Sequence, residues 1–405
     1  MFELHLDMYL TIGLAAIIFW LGNFLIKKSA FLTKYHIPAP LVGGLIFALL
    51  NTILTASGTM TITLDKTLES ILMTVFFTTV GFSASLPLIR RGGKLIALIL
   101  LLSVVVLTIQ NLIGSSIASL FGIDPRLGVG VGSIALIGGP GTAAAFGATM
   151  ESPIYGVEGA TAVSLAAATF GLVAGSMMGG PTMRKRISQL EKQNQIAMSE
   201  VAATKEVDTE ITPEDEEQFV SSSKSFVNAG ILLALALGTG VIVSDLLAAT
   251  GITFPGYMGA LVMGAVIRNI VEATGKKYPV NEISTIGEVS LSLFLAMAMM
   301  GLQLWVLADL AIPIIAILAV QVLFLYLFSY FILFNLLGKS YDAAVQTVGF
   351  IGYAMGSTSN AMANMQTLTR KYGPSPASYI AIPIGGTFSD FFNAIIITAF
   401  LNFFT

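Results

Sequence analysis

Two stretches of glycine and small polar residues interrupt long apolar runs, and these are the places where the chain could do chemistry. The first reads Gly138-Gly139-Pro140-Gly141-Thr142 and is followed by three alanines. The second reads Gly352-Tyr353-Ala354-Met355-Gly356-Ser357-Thr358-Ser359-Asn360, with Asn364 just beyond. Glycine lets the backbone reverse tightly and brings its N–H and C=O groups close to a ligand. Thr142, Ser357 and Thr358 stand where a new helix would begin, the position from which a side-chain oxygen caps free N–H groups. A helix N-terminus at membrane depth attracts an anion, whereas carbonyl and hydroxyl oxygens suit a hard cation such as sodium. The plainer account is that these glycines only let helices pack closely. Two such segments at matching positions, both carrying side-chain oxygens, favour binding.

A third feature is a carboxylate within an apolar run, Asp390 in Ser389-Asp390-Phe391-Phe392-Asn393. An unpaired acid is expensive to bury in a membrane, so it is read first as functional. Asn393, three residues on, shares its helix face. Asp390, Asn393 and Asn364 are therefore the candidate cation ligands, with sodium the only metal expected; a hydrogen-bonded structural acid is the alternative for Asp390. Asp245 and Glu288 lie nearer span ends, where snorkelling or capping explains them equally well. No lysine or arginine lies deep within a span. An anionic substrate would be balanced by helix N-termini and a co-bound cation, and each charge then makes the other easier to bury.

Several other chemistries find no support. The chain has no cysteine, which excludes disulfides, thiolate zinc sites and cysteine nucleophiles. Its two histidines, His5 and His36, lie in flanking segments and form no metal cluster by themselves. Gly338-Lys339-Ser340 looks like the end of a phosphate loop, but Leu333 stands where the first glycine should be. There is no G-x-S-x-G elbow. Gly171, Gly175 and Gly179 make a small-residue stripe, assigned to helix packing. No nucleophile–base or metal constellation can be assembled, so no enzyme and no cofactor is expected. A channel would need a continuous polar path, whereas the polar residues here concentrate at two segments and one span.

The elements that must position these residues are membrane helices. Of 405 residues, 55% are hydrophobic and only 11% charged, against about 25% charged in a soluble domain. A span needs roughly 20 apolar residues. Ten are expected, near 8–26, 40–56, 70–88, 94–121, 158–182, 226–249, 256–272, 283–306, 309–337 and 376–403. The first is too long for a signal-peptide core. The two interrupted segments, 127–150 and 342–370, read as re-entrant hairpins, since irregular backbone at that depth survives only against protein or a water-filled cavity. Placing both termini outside puts every one of the 20 basic residues except Lys66 and Arg126 on the inner side, as the positive-inside rule requires. One long polar stretch, 183–224, reads as a solvated cytoplasmic linker, with a binding tail as the alternative.

The linker divides two similar halves. Ile37-Pro38-Ala39 echoes Phe254-Pro255-Gly256, and Thr79-Val80-Gly81-Phe82 echoes Met299-Met300-Gly301-Leu302. Gly122 and Thr142 echo Gly338 and Thr358 at a similar offset. Each half holds five spans, an odd number, so the second enters from the opposite face. The expected fold is thus an all-α integral membrane protein of ten transmembrane helices in two inverted five-helix repeats, 1–182 and 225–405, each with a re-entrant hairpin.

The motifs resemble those of the bacterial sodium/glutamate symporters. The longest match is Val289-Ser290-Leu291-Ser292-Leu293-Phe294-Leu295-Ala296-Met297-Ala298-Met299-Met300-Gly301-Leu302, followed by Leu304-Trp305. Others are the Gly138–Thr142 tip, Ala168–Val173, Tyr341–Val345 and Ala361–Gln366. The resemblance covers nearly the whole chain outside the linker. It implies secondary active transport of L-glutamate with sodium, an elevator motion and a homodimer in the lipid of a bacterial inner membrane, with no role for nucleic acid. By position, Gly138, Gly139, Gly141 and Thr142, with Gly356, Ser357, Thr358 and Asn360, would bind substrate and ions. Asp390 and Asn393 match acidic and amide positions of the family's last span. The family has histidine where this chain has Pro140, Thr-Pro-Thr where it has Thr358-Ser359-Asn360, and asparagine where it has Glu288. Those differences bear on the substrate. Glutamate is expected, with another small carboxylate or amino acid, or proton coupling through Asp390, as alternatives.

Overall fold

The computed structural model describes residues 2–192, 222–250, 254–275, 278–302 and 304–404. It is nearly all helical. The helices are α1 (Met8–Lys28), α2 (Ala30–Lys34), α3 (Ala39–Ala56), α4 (Thr67–Phe82), α5 (Leu86–Leu120), α6 (Pro125–Val129), α7 (Gly139–Glu151) and α8 (Ala160–Lys192) in the first half. The second half contributes α9 (Ser223–Ala248), α10 (Met258–Ala273), α11 (Val280–Met300), α12 (Leu304–Leu327), α13 (Tyr341–Ala354), α14 (Thr358–Tyr372) and α15 (Pro376–Phe403). Beyond α12 the helix continues through a wider turn, Phe328–Leu333, to Phe334–Leu336. Among the described residues, eight helices are long and apolar enough to cross a membrane. The other two span candidates, α4 and α10, have 16 residues each, a rise of about 24 Å against a hydrocarbon core of about 30 Å.

The all-α expectation holds apart from one small sheet, in which Phe2–Leu6 (β1) pairs in parallel with Met60–Leu64 (β2), Leu4 opposite Ile62. Both segments alternate apolar and polar residues, a strand period too short to register in a search for spans. The third and eighth spans stop at Phe82 and Met300, short of 88 and 306. Pro87 explains the first, because proline fits the first turn of a helix and not its interior; it opens α5. A backbone break at Gly93, φ 59° and ψ −149°, then separates the start of α5 from its long apolar run. Finally, α8 continues to Lys192, so the first part of the polar stretch is helical. Of the stretch read as a linker, 193–221 lie outside the described residues.

The helices sort into two bundles, and each draws on both halves of the chain. In one, α1, α3 and α4 pack with α9, α10 and α11. In the other, α5, α6, α7 and α8 pack with α12, α13, α14 and α15. Each half thus gives its first three long helices to one bundle and its interrupted segment, with the flanking helices, to the other. The bundles touch where α7 meets α11 and where α15 meets α4. The two small-residue tips and Asp390 lie along that seam, facing residues of the other bundle across one cavity.

Candidate functional site

The first small-residue segment is a helix broken in the middle. After α6 the backbone passes through a wide turn, Gly130–Ile134, and leaves helical geometry at Gly132, φ −89° and ψ −127°. Such a break frees peptide groups that must be paired when buried. Two side-chain amides supply the pairing. Asn111 on α5 accepts the Ser133 N–H at 2.9 Å, and Asn393 on α15 donates to the Ser133 carbonyl at 3.0 Å. Helix α7 then starts at Gly139, with Gly138 as its cap residue and no side-chain cap. Thr142 is therefore not the cap that its type suggested: the helix begins three residues earlier, and Thr142 packs back against Gly138. Gly139 has φ 65°, and a Cβ built on it would lie 2.9 Å from the Gly356 carbonyl oxygen. The two tips meet at this point.

The second tip is held from behind. At the end of α13 the Ala354 carbonyl accepts from Gln110 Nε2 at 3.0 Å, and the Tyr353 hydroxyl shares a hydrogen bond with Ser103 at 2.8 Å. Gln110 and Asn111 are neighbours on α5, and each holds one of the two breaks. Ser357 does cap α14, its hydroxyl accepting the Asn360 N–H at 3.3 Å. Asn360 and Asn364, one turn apart on α14, donate to α8 carbonyls: Asn360 Nδ2 to Leu172 at 2.8 Å and Asn364 Nδ2 to Gly175 at 3.0 Å. The α8 glycine stripe lies along this contact, Gly171 and Gly175 against Met355 and Gly179 against Asn364. It packs helices, as its spacing suggested.

Both tips open on one cavity of about 460 Å³, within the range of small-molecule sites. Gly138, Gly139 and Gly141 line it from one side and Gly356, Ser357 and Thr358 from the other, with Asp390 beside them. Thr142 and Asn360 stand one layer behind, both buried. Asn364 and Asn393 face the helix contacts just described and do not reach the wall. The other bundle closes the cavity with Phe19, Asn23, His36, Phe76, Leu291 and Ser292.

A family model described as sodium/glutamate symporter matches residues 4–374. The chain belongs to the sodium/glutamate symporter family. A sodium/glutamate symporter of Escherichia coli (strain K12) is 40% identical over 400 residues, 98% of each chain. One from Haemophilus influenzae (strain ATCC 51907 / DSM 11121 / KW20 / Rd) is 34% identical over 388 residues, 95% of each chain. Membership of the sodium/glutamate symporters and the apolar helices together make this a multi-pass membrane protein.

The electrostatics of the site in this family member are simple. The ionisable side chains on the cavity wall are His36, Tyr353 and Asp390. The Asp390 carboxylate, half-buried, has no hydrogen bond or ion pair with a described residue. The N-termini of α7 and α14 turn free N–H groups and the positive ends of their dipoles toward the same space. The arrangement can hold an anion at two helix ends and a cation at one acid. One buried cation escaped the sequence reading: Arg268 is 8% exposed. It pairs with Glu272 at 2.6 Å and stacks on Tyr278, away from the cavity, so it leaves the charge balance of the site unchanged. Asp245 and Glu288 are exposed on helix surfaces. The sequence reading also passed over Gln110, Asn111 and Gln321, all fully buried. Amides inside apolar spans were the available signal, since such groups need partners at that depth.

Proposed function

We propose that the protein is a sodium-coupled symporter of L-glutamate that works by elevator-type alternating access. The observation that carries this reading is the convergence of two helix N-termini, one from each half of the chain, on a single cavity that also holds an unpaired carboxylate. Substrate carboxylates at the helix ends and sodium at Asp390 would neutralise one another, so neither charge enters the membrane alone. The names of the relatives support glutamate and sodium as the transported pair. Gly138, Gly139, Gly141 and Thr142, with Gly356, Ser357, Thr358 and Asn360, form the substrate site in this reading; Asn364 and Asn393 join Asp390 on the cation side.

Ten spans in two inverted repeats, 1–182 and 225–405, belong to the same proposal, with hairpins entering from opposite faces. Packing supports the repeat: Gly44 of α3 lies against Met299 of α11, and the corresponding Gly264 of α10 lies against Thr78 of α4. The elevator is supported by the position of the cavity between two bundles, one of which carries both tips. Both termini lie outside a bacterial inner membrane, the 183–224 linker lies inside, and two copies associate in the lipid; basic-residue placement supports the orientation, and family likeness the dimer. Because Pro140 and Ser359 line the cavity and differ from the family pattern, transport of another small carboxylate is the second reading. Purified protein in liposomes, offered glutamate, aspartate, glutamine and simple dicarboxylates under a sodium gradient and then a proton gradient, tests both. Uptake of glutamate that ignores sodium would reject the proposal.

A further inference from the structure

His36 occupies a backbone position that calls for glycine. Helix α2 ends with Ile37 N–H bonded to the Leu32 carbonyl and His36 N–H bonded to the Thr33 carbonyl, both at 3.2 Å. In this helix-ending motif the residue after the cap adopts left-handed backbone, usually as glycine. His36 does so with φ 51°, a strained conformation for a residue with a Cβ. An outlier of this kind asks what the side chain does. The second observation answers it: His36 lies on the wall of the cavity shared by the two tips and Asp390. It is exposed whereas Gly139, Gly141 and Gly356 are buried, which sets it at the rim. Its ring has no hydrogen-bond partner among the described residues. The neighbouring ammonium groups of Lys28 and Lys34 lie over Phe24 and Tyr35, and among the described residues no lysine or arginine lines the wall, which leaves His36 as its one imidazole N–H donor.

We propose that His36 is a specificity residue at the cavity rim, donating an imidazole N–H to a carboxylate of the substrate bound in the cavity. This rests on the reading of the cavity as a site for glutamate or another small carboxylate. It adds a donor from the bundle opposite the tips, so the substrate bridges the seam.

The test is a series of three variants, H36G, H36Q and H36K, purified in lipid nanodiscs beside the wild type. Affinity for L-glutamate in sodium buffer, thermal stability and the maximal rate in liposomes are measured for each. H36G should unfold at the same or a higher temperature, because glycine relieves the left-handed strain. It should nonetheless bind glutamate about three- to tenfold more weakly, the loss of one exposed hydrogen bond to a charged group. H36Q should weaken binding less, H36K should match the wild type, and none should lower the maximal rate. Wild-type affinity in both H36G and H36Q, or equal weakening in H36K and H36G, would overturn the assignment. Wild-type protein that binds no acidic substrate in sodium would overturn the proposed function first, and this inference with it.

Discussion

Replacing Gly139 with alanine tests whether the two tips act as one site. The substitution has two effects, and a control separates them. Gly139 has φ 65°, a region in which a residue with a Cβ loses about 1–2 kcal/mol. Gly156 has φ 62° with nothing within 4 Å of its would-be Cβ, so Gly156→Ala carries the backbone effect alone. At Gly139 the new Cβ would also sit 2.9 Å from the Gly356 carbonyl oxygen. Relief requires the tips to part by about half an ångström, the tolerance within which a binding constellation must be held. Overpacking of this kind costs roughly 1–3 kcal/mol, which as lost substrate binding is about five- to 150-fold in Kd. Gly139→Ala should therefore weaken sodium-dependent glutamate binding by at least about fivefold, while Gly156→Ala, with a comparable backbone penalty, keeps wild-type affinity. Binding by scintillation proximity, with melting temperatures for both variants, reads the difference. Equal affinity in the two variants would refute the idea that the tips close on a shared substrate.

Four further outcomes are expected. Asp390→Asn should raise the sodium concentration for half-maximal uptake by roughly tenfold, since the amide keeps the shape without the charge; an unchanged sodium curve in folded protein would make Asp390 structural. Asn111→Ala leaves the Ser133 N–H without its partner and should destabilise by about 1–3 kcal/mol, whereas Gln321→Leu, which releases only one of the bonds to the Gln110 carbonyl, should be milder in a thermal-shift assay. Cysteines at Pro140 and Ser359, both on the cavity wall, should be joined by a bifunctional reagent of about 10 Å, one helix diameter, and glutamate with sodium should slow the reaction. Ala143, fully buried, should react far more slowly when changed to cysteine. Reporter fusions after Ser221 and at the carboxyl terminus should score on opposite sides of the membrane, and the same side for both would remove the inverted repeat.

The membrane environment and the places of chemistry were legible in the chain itself. Hydropathy is a local sum, so apolar runs and the two small-residue interruptions can be located without knowing what they touch. The same holds for Asp390, because a carboxylate in an apolar run is anomalous wherever its neighbours lie. What each polar group bonds to was not legible. Asn360, Asn364 and Asn393 look alike as sequence, yet all three donate to backbone carbonyls on other elements, and only Asp390 of the four cation candidates and second-tip amides reaches the cavity. Thr142 lost its capping place because the backbone at Gly138 and Gly139 set the helix start, a matter of a few dihedral angles that composition does not encode. The partition into two bundles rests on contacts between residues far apart in the chain, such as Gly44 with Met299, and those depend on how helices cross. His36 shows the division most plainly. In sequence it was a lone histidine in a flanking segment; the end of α2 gave it a left-handed backbone, and the seam between the bundles brought it to the cavity rim.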